Sequence, residues 1–217
     1  MLAVLHASQL VTLAGPARAR SGRELTELGI IADGGLLVEN GRTLKVGKSA
    51  EIGKLCRPQT EIIDASDCVV MPGFVDAHTH FVFAGDRLDD FEARARGESY
   101  EQIAQRGGGI RITVAATRAM TEDQLLVPAK KRAGWMLRNG TTTAEAKSGY
   151  GLTIADELKI LRVIRRVGAE TPLTTIGTFL GAHAIPDEFR HDHGGDFDLR
   201  LRLAELHPDA RQPFPAA

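Results

Sequence analysis

The sequence predicts an α/β protein in which a small β module precedes alternating strands and helices. Residues 1–70 contain short apolar runs that lack the helical period, so they indicate strands joined by turns. After Met71-Pro72-Gly73 the pattern changes to strand, helix and strand with short links. Because that alternation is typical of parallel α/β layers, we expect a second structural unit to begin near residue 71.

The β module is predicted from one hairpin and three further apolar runs. Asn40-Gly41 tolerates positive φ at both centres of a type I′ turn, and the apolar residues 36–38 and 44–46 flank it. Residues 1–20 include a signal-like apolar stretch, but no basic residue precedes that stretch. We therefore expect a strand pair there rather than a signal peptide. The three further runs are residues 10–13, 62–63 and 69–70.

The α/β unit begins with one strand and two capped helices. Residues 74–80, FVDAHTH, are a strand candidate. Ser99 followed by Gln102 forms a capping-box pattern that starts a short helix, and Thr121 with Gln124 starts a longer one. Both helices are expected to end at a following glycine.

A strand, a helix and a third strand complete this unit. Residues 141–147 and 173–180 are predicted as strands. Thr153 caps the helix between them, which we expect to end at Gly168. The apolar stripe of this helix consists of Leu158, Leu161, Ile164 and Val167.

The composition is that of an ordinary globular protein and favours neither a nucleic-acid nor a membrane partner. The 217 residues include 27 Lys and Arg against 28 Asp and Glu, with a formal net charge of -1. No excess positive charge therefore attracts the chain to a polyanion. No apolar run approaches the roughly 18 residues of a membrane-spanning helix. Cys56 and Cys68 are too few for a disulfide framework, which suits a reducing compartment and a cytoplasmic location.

His78 and His80 lie at the end of the predicted strand 74–80 and carry the strongest chemical signal. Residues at i and i+2 of a strand point to one face, so both imidazoles can hold one cation. The alternate residues, Val75 among them, are expected to fill the opposite face. Imidazole suits zinc or iron, and a catalytic site needs further ligands and an open position for water. The alternative interpretation is a pair of hydrogen-bonded histidines at a strand end.

Three other motifs are interpreted as structural. The glycines 107–109 lack the Gly-Lys-Ser/Thr of a phosphate loop, so they predict a flexible turn, with an active-site lid as the alternative. His191-Asp192-His193 repeats the HxH spacing but lies in a polar stretch, which favours a solvated loop. The third motif is a set of basic residues on the polar face of the helix after Thr153, namely Arg162, Arg165 and Arg166.

The stretch MPGFVDAHTH at residues 71–80 resembles the first barrel strand of the amidohydrolase superfamily. In that superfamily an N-terminal β-sandwich-like module leads into a (β/α)8 barrel, and HxH supplies two metal ligands. A finer resemblance, to the imidazolonepropionase family, covers about residues 71–187. It rests on the blocks HTHFVFAGDR, SYEQIAQRGGGI, GTTTAEAKSGYGL, ELKILR and TFLGAHAIP. The resemblance implies that these residues form about half of such a barrel.

The resemblance also implies three substrate-binding residues besides the metal ligands His78 and His80. Arg87 lies just after the metal strand, where its guanidinium matches a carboxylate, although its position alone also fits a solvated surface residue. Tyr150 lies between glycines that let the backbone turn its ring over a ligand. The family pattern assigns Arg87 and Tyr150 to a propanoate arm. It assigns His183 to the imidazolone ring rather than to the metal.

For a complete enzyme, the resemblance implies metal-dependent hydrolysis of the ring amide C–N bond of 4-imidazolone-5-propanoate. The product is N-formimidoyl-L-glutamate, in histidine degradation. The implied cofactor is one zinc or iron ion, and the implied partner is the small-molecule substrate, with no nucleic acid and no membrane. Whether the enzyme forms a homo-oligomer is left open. We interpret Lys147 as a packed or paired lysine, not as a carbamylated bridge between two metals, because the family resembled uses one metal.

The expected organisation is a β module at 1–70, the first βα units at 71–187 and a divergent or truncated tail at 188–217. Because a full (β/α)8 barrel takes about 250 residues, we expect about half a barrel here. The family's other metal ligands and its acidic catalytic residue are expected beyond the end of this chain. Two alternatives stay open, a truncated non-catalytic product and another cyclic amidohydrolase. The blocks KSGYGL and TFLGAHAIP argue against the second.

Overall fold

The computed structural model describes residues 1–181 and 183–185 of the chain. Contacts divide the chain into two compact units, Met1–Pro72 and Gly73–Ala217. Each unit has its own sheet and its own hydrophobic core.

The first unit is a five-stranded sheet with one short α-helix. Its elements are β1 (Leu2–Val11), a 3-10 helix (Gly22–Thr26), β2 (Ile30–Glu39), β3 (Arg42–Lys48), α1 (Ser49–Gly53), β4 (Glu61–Asp64) and β5 (Val69–Val70). Strands β1, β2 and β3 are antiparallel neighbours. Strands β4 and β5 each pair with β1 in parallel. The β module predicted from the apolar runs is therefore present.

The predicted hairpin at Asn40-Gly41 is confirmed. Asn40 has a φ of 52° and Gly41 a φ of 73°, as a type I′ turn requires. The strand pair expected within residues 1–20 is wrong, because β1 pairs with β2 instead. Pro16 follows β1 and lacks the N–H that a ladder needs, so the chain leaves the sheet before it returns.

Helix α1 has no counterpart among the predicted elements. Its Ile52 is fully buried and packs with Ala3, Leu5 and Leu37 of the sheet. The Ser49 hydroxyl donates to the Gly34 carbonyl at 2.9 Å. With 5 residues, the helix is too short to produce a periodic signal.

The second unit is a parallel α/β layer structure. Its elements are β6 (Phe74–Thr79), α2 (Leu88–Ala95), α3 (Tyr100–Gln105), α4 (Ile110–Ala119), α5 (Glu122–Arg138), β7 (Thr141–Lys147), α6 (Ile154–Glu170) and β8 (Thr174–Thr178). The strands lie in the order β6-β7-β8 and are all parallel. The α/β class is confirmed, and the described residues do not form a closed barrel.

Both predicted capping boxes are present. The Ser99 hydroxyl accepts from the Gln102 backbone N–H at 3.2 Å, and the Gln102 side chain accepts from the Ser99 backbone N–H at 2.7 Å. Thr121 and Gln124 repeat this arrangement at the start of α5. Helices α2 and α4, by contrast, were not foreseen from the sequence, because their N-cap residues, Arg87 and Gly109, make no side-chain capping hydrogen bond.

The core of the second unit lies among its sheet and helices α5 and α6. The predicted α6 stripe is partly wrong: Leu161 is half-buried and packs against this core, whereas Leu158 is half-buried and does not belong to the described core cluster. Steps of three residues drift around a helix, whereas the observed spacing of i, i+3, i+4 and i+7 follows one face. Helix α6 also continues past Gly168 to Glu170. The fully buried residues of this face are Ile160, Val163, Ile164 and Val167.

Strand β6 has one neighbour, β7, in the described sheet. Its Phe74 is 54% exposed and its Val75 is 68% exposed. The expectation that Val75 fills the face opposite the histidines is therefore wrong. The physical reason is that no layer of described residues covers this face of the strand.

The glycines 107–109 form a turn, as predicted, but a buried carboxylate holds it. Gly107 and Gly109 have φ values of 89° and 77°. The Gly109 N–H donates to Oδ2 of Asp90 at 2.7 Å, and Asp90 is buried on α2. The arrangement fixes the start of α4.

Two of the predicted features lie outside the described residues. They are the tail at 188–217 and the His191-Asp192-His193 motif. Within the described ranges, no helix is both long and apolar enough to cross a membrane. The predicted polar face of α6 is present, since Arg162 and Arg166 pair with acidic residues at the start of α5.

Candidate active site

Four rings meet where strands β6, β7 and β8 end. His78 and His80 come from the end of β6, Tyr150 follows β7 and His183 follows β8. The His80 ring centroid lies 5.5 Å from that of His78, 5.2 Å from Tyr150 and 4.8 Å from His183. Tyr150 and His183 are themselves 5.7 Å apart. The carboxyl ends of neighbouring parallel strands thus bring four of the predicted site residues together around His80.

The two histidines of the HxH pattern differ in their surroundings. His78 is exposed, and its backbone N–H donates to Oδ1 of Asp76 at 3.1 Å. Both ring nitrogens of His80 are buried, and neither makes a regular hydrogen bond to any described residue. A buried polar atom without a partner costs free energy of folding. The unpaired ring nitrogens of His80 leave a lone pair free to bind a metal ion. These two residues therefore fit a metal ion as two of its ligands.

Burial lowers the pKa of His80, and the neighbouring His183 and His78 lower it further. The Ser148 backbone is near enough to raise this pKa slightly, without forming a regular hydrogen bond. The neutral imidazole, which is the form that binds metal, is thereby favoured. Neither His183 nor Asp76 completes a ligand set, because no three described His, Cys, Asp or Glu side chains are grouped to hold a metal ion.

Arg87 lies at the start of α2, beside a small cavity. Its Nε donates to the hydroxyl of Thr113, a buried residue of α4, at 3.0 Å. Arg87 keeps solvent exposure, and its terminal nitrogens have no hydrogen-bond partner among the described residues. The cavity has a volume of about 270 Å³, below the ~300–1,000 Å³ typical of pockets for drug-sized ligands. It is lined by Phe83, Asp86, Arg87, Thr113 and Tyr150.

The turn that carries Tyr150 has a strained backbone. Gly149 has a φ of 115° and Leu152 a φ of 52°. A Cβ atom on Gly149 would lie 2.9 Å from Cβ of His183, so only glycine fits there. Glu157, which is 1% exposed, lies beneath this turn and accepts hydrogen bonds from its backbone.

Lys147 is paired, as predicted. Its Nζ lies 2.5 Å from Oε1 of Glu145, and the Thr178 hydroxyl donates to the same oxygen at 2.7 Å. The hydrogen bond from Lys147 is the main reason that the pKa of Glu145 is lowered. Lys147 is therefore held in an ion pair at the end of β7.

Three residues that support the site were missed from the sequence, namely Thr113, Thr117 and Glu157. Thr113 orients Arg87, and Thr117, one helical turn later, accepts from the Ala84 N–H at 3.1 Å. A pair of threonines at i and i+4 on one helix face was the available signal. For Glu157 the signal was an acidic residue on the apolar stripe of α6, three residues before Ile160.

The chain is similar to curated imidazolonepropionases. It is 52% identical to one from Solibacter usitatus over 200 residues, which are 92% of this chain and 48% of that protein. One from Brevibacillus brevis is 43% identical over 200 residues, 90% of this chain and 47% of the relative. One from Rubrobacter xylanophilus is 43% identical over 208 residues, 94% of this chain and 48% of the relative. The chain thus spans about half the length of the curated relatives it matches.

No family model matches the chain. Among solved structures, an E. coli guanine deaminase matches with a TM-score of 0.56 at 19% identity, over 94% of this chain and 43% of that one. An atrazine chlorohydrolase from Arthrobacter aurescens, complexed with zinc, matches with a TM-score of 0.54 at 15% identity, over 99% of this chain and 44% of that one. At such identities these matches show only the amidohydrolase fold. By its sequence relatives, the chain belongs to the imidazolonepropionase family and is homologous to the N-terminal half of its members.

Proposed function

We propose that this chain supplies the N-terminal part of an enzyme that hydrolyses the ring amide C–N bond of 4-imidazolone-5-propanoate. The product is N-formimidoyl-L-glutamate, and the reaction is a step of histidine degradation. The observation that carries the proposal is the cluster of four rings around His80, beside the cavity that Arg87 and Tyr150 line. Homology to imidazolonepropionases over half of their length supports the choice of substrate.

The proposed substrate has a flat ring and a carboxylate arm, and this chain offers groups for both. The terminal nitrogens of Arg87 can donate a pair of hydrogen bonds to the carboxylate, and the Tyr150 hydroxyl can donate a third. His183, whose ring centroid lies 4.8 Å from that of His80, can hydrogen-bond the imidazolone ring. Holding both ends of the substrate turns a loose encounter into an oriented one, which lowers the entropic part of the barrier.

His78 and His80 would hold one zinc or iron ion, with the remaining ligands supplied from outside the described residues. When bound, such an ion polarises the ring carbonyl and acidifies the attacking water. The rings of Tyr150 and His183 pack around His80 and limit the access of bulk water to it. The acidic residue that takes and passes on the proton is likewise proposed to come from the rest of the enzyme. The proposed setting is the cytoplasm.

The second candidate is that the chain is a non-catalytic polypeptide, which keeps the fold but does not contribute to the reaction. It is favoured by one observation, that the described residues hold no group of three potential metal ligands. On this alternative the two histidines bind metal weakly and no turnover follows, whatever is added to the chain. The two candidates therefore differ in what happens when the remaining half of a relative is supplied.

The test joins residues 1–187 of this chain to the remaining half of the Solibacter usitatus relative. We expect the chimera to hydrolyse 4-imidazolone-5-propanoate, and His80→Ala to lower its kcat/KM by at least about a thousandfold. His6→Ala is the matched control, because His6 is an exposed histidine of the first unit.

The outcomes separate the candidates. A folded, metal-loaded chimera without activity would favour the second candidate, a non-catalytic polypeptide. The chain alone, supplied with zinc, is expected to show no turnover. Turnover by the chain alone that His78→Ala abolishes would instead contradict the view that a second half is required.

A further inference from the structure

A buried carboxylate holds the turn that carries Tyr150. Oε2 of Glu157 accepts from the Gly149 N–H at 2.6 Å. Oε1 accepts from the Gly151 N–H at 2.9 Å and from the Leu152 N–H at 2.6 Å. Glu157 is 1% exposed, so these hydrogen bonds form away from water, where charge-assisted bonds are strongest.

The turn needs such an acceptor because its backbone cannot satisfy itself. Gly149 and Leu152 both have positive φ, which aims successive N–H groups toward the inside of the turn. Buried N–H groups require partners. A carboxylate with two oxygens can accept all three hydrogen bonds, whereas a neutral amide has one accepting oxygen. Glu157 also lies in the first turn of α6, where the helix dipole favours a negative charge.

Tyr150 depends on these hydrogen bonds, since it stands between the anchored residues. The N–H groups of Gly149 and Gly151, on either side of it, both donate to Glu157. The carbonyl of Gly151 accepts from Nε of Arg118 at 2.6 Å, which fixes the far side of the turn. The turn therefore sets the position of the Tyr150 backbone, from which the ring reaches those of His80, Phe83 and His183.

We propose that Glu157 is a positioning residue, which holds the 149–152 turn so that the Tyr150 hydroxyl meets the carboxylate arm of the substrate. The proposal rests on the proposed function in one respect, the identity of the ligand that Tyr150 contacts. Its structural part, that Glu157 orders the turn, stands independently of that ligand. The negative charge of Glu157 also acts on His183, whose pKa it raises against the lowering effect of burial. A direct electrostatic role is thus the competing explanation.

The first measurement is amide hydrogen exchange of the full chain over residues 149–152. In Glu157→Gln we expect exchange there to accelerate by at least about tenfold, while the first unit keeps its protection. Glu170→Gln is the matched control, because Glu170 is an exposed carboxylate at the other end of the same helix. Unchanged exchange in Glu157→Gln would overturn the proposal.

The second measurement is the affinity of the metal-free full chain for 3-(imidazol-4-yl)propanoate. We expect Glu157→Gln and Tyr150→Phe each to raise the Kd by about tenfold, and the double variant to be no weaker than Tyr150→Phe. Additive losses would mean that Glu157 does not act through Tyr150, and would overturn the proposal.

Glu157→Asp separates position from charge, and it also serves if Glu157→Gln fails to fold. Aspartate keeps the charge but is one methylene shorter, so it cannot reach all three N–H groups. We expect fast exchange at 149–152 and weakened binding in this variant. If Glu157→Asp binds the probe as tightly as the wild-type chain does while residues 149–152 exchange fast, the electrostatic explanation is favoured and ours is contradicted. If the wild-type chain does not bind the probe, the proposed ligand is wrong, and the exchange rates still decide the role of Glu157.

Discussion

The ring centroids of His80 and His183 lie 4.8 Å apart, although the two residues follow different strands. Strand β7 separates β6 from β8 in the sheet, so this contact spans the width of a whole strand. Tyr150, which follows β7, lies within 5.2 Å of His80 and 5.7 Å of His183 and completes the group. The carboxyl ends of three neighbouring strands therefore gather these rings around the half-buried imidazole of His80.

The metal prediction concerns the affinity of the chain for zinc. Because two imidazoles make an incomplete ligand set, we expect weak zinc binding that dialysis against a chelator removes. His78→Ala and His80→Ala should each weaken it further, by at least about tenfold, while His6→Ala leaves it unchanged. Competition with a chromophoric chelator measures these affinities. Tight, stoichiometric zinc that survives both substitutions would contradict the assignment of the ligands.

Arg87 should determine the preference of the site for a carboxylate. We expect the metal-free chain to bind 3-(imidazol-4-yl)propanoate more tightly than 4-ethylimidazole. Arg87→Met should weaken this preference, measured as the ratio of the two affinities, by about 10- to 100-fold. Thr113→Val should remove part of it, because the Thr113 hydroxyl orients Arg87. Isothermal titration measures both ligands. Arg96→Met is the control, since Arg96 is an exposed arginine paired with Glu92 at the end of α2.

The burial of one face of α6 gives a stability prediction. Ile160 is fully buried, so Ile160→Ala should lower the free energy of unfolding by about 2–4 kcal/mol. Val127 is 71% exposed on α5, and Val127→Ala should change this free energy by less than about 0.5 kcal/mol. Urea unfolding of the full chain measures both. Equal effects would mean that the packing between sheet and helices is not as described.

Arg132 should stabilise the segment between His80 and Arg87. Its Nη1 donates to the carbonyls of Phe81 and Phe83 at 3.0 and 2.8 Å, and its guanidinium lies 3.6 Å from the Phe83 ring centroid. Arg132→Met leaves both carbonyls without this donor, so we expect a loss of about 1–3 kcal/mol in the free energy of unfolding. Lys130→Met is the control, because Lys130 lies on the same helix as Arg132 and makes an exposed ion pair with Glu170 of α6. Equal stability of the two variants would argue against this role.

Much of the fold was predictable because its signals are local. The Asn40-Gly41 turn and the capping boxes at Ser99 and Thr121 depend on hydrogen bonds between residues close in sequence. Helix α4 was missed because Gly109, which precedes it, offers no capping side chain. A carboxylate distant in sequence, Asp90, fixes that end instead.

The candidate site was predictable in its principal residues and not in its supports. His78, His80 and Tyr150 carry recognisable chemistry next to strand ends, and parallel strands bring such ends together. Thr113 and Glu157 act only through tertiary contacts with Arg87 and the 149–152 turn. Their local signals, a threonine pair on one helix face and an acidic residue on an apolar stripe, do not show which distant group each side chain contacts.

A structure of the metal-free chain with bound 3-(imidazol-4-yl)propanoate would show whether Arg87 and Tyr150 hold the carboxylate arm. We expect the carboxylate to lie within about 2.7–3.2 Å of the Arg87 terminal nitrogens and the Tyr150 hydroxyl. The imidazole ring should lie among His78, His80 and His183. A probe bound elsewhere on the chain, or bound with its carboxylate away from Arg87 and Tyr150, would contradict the account.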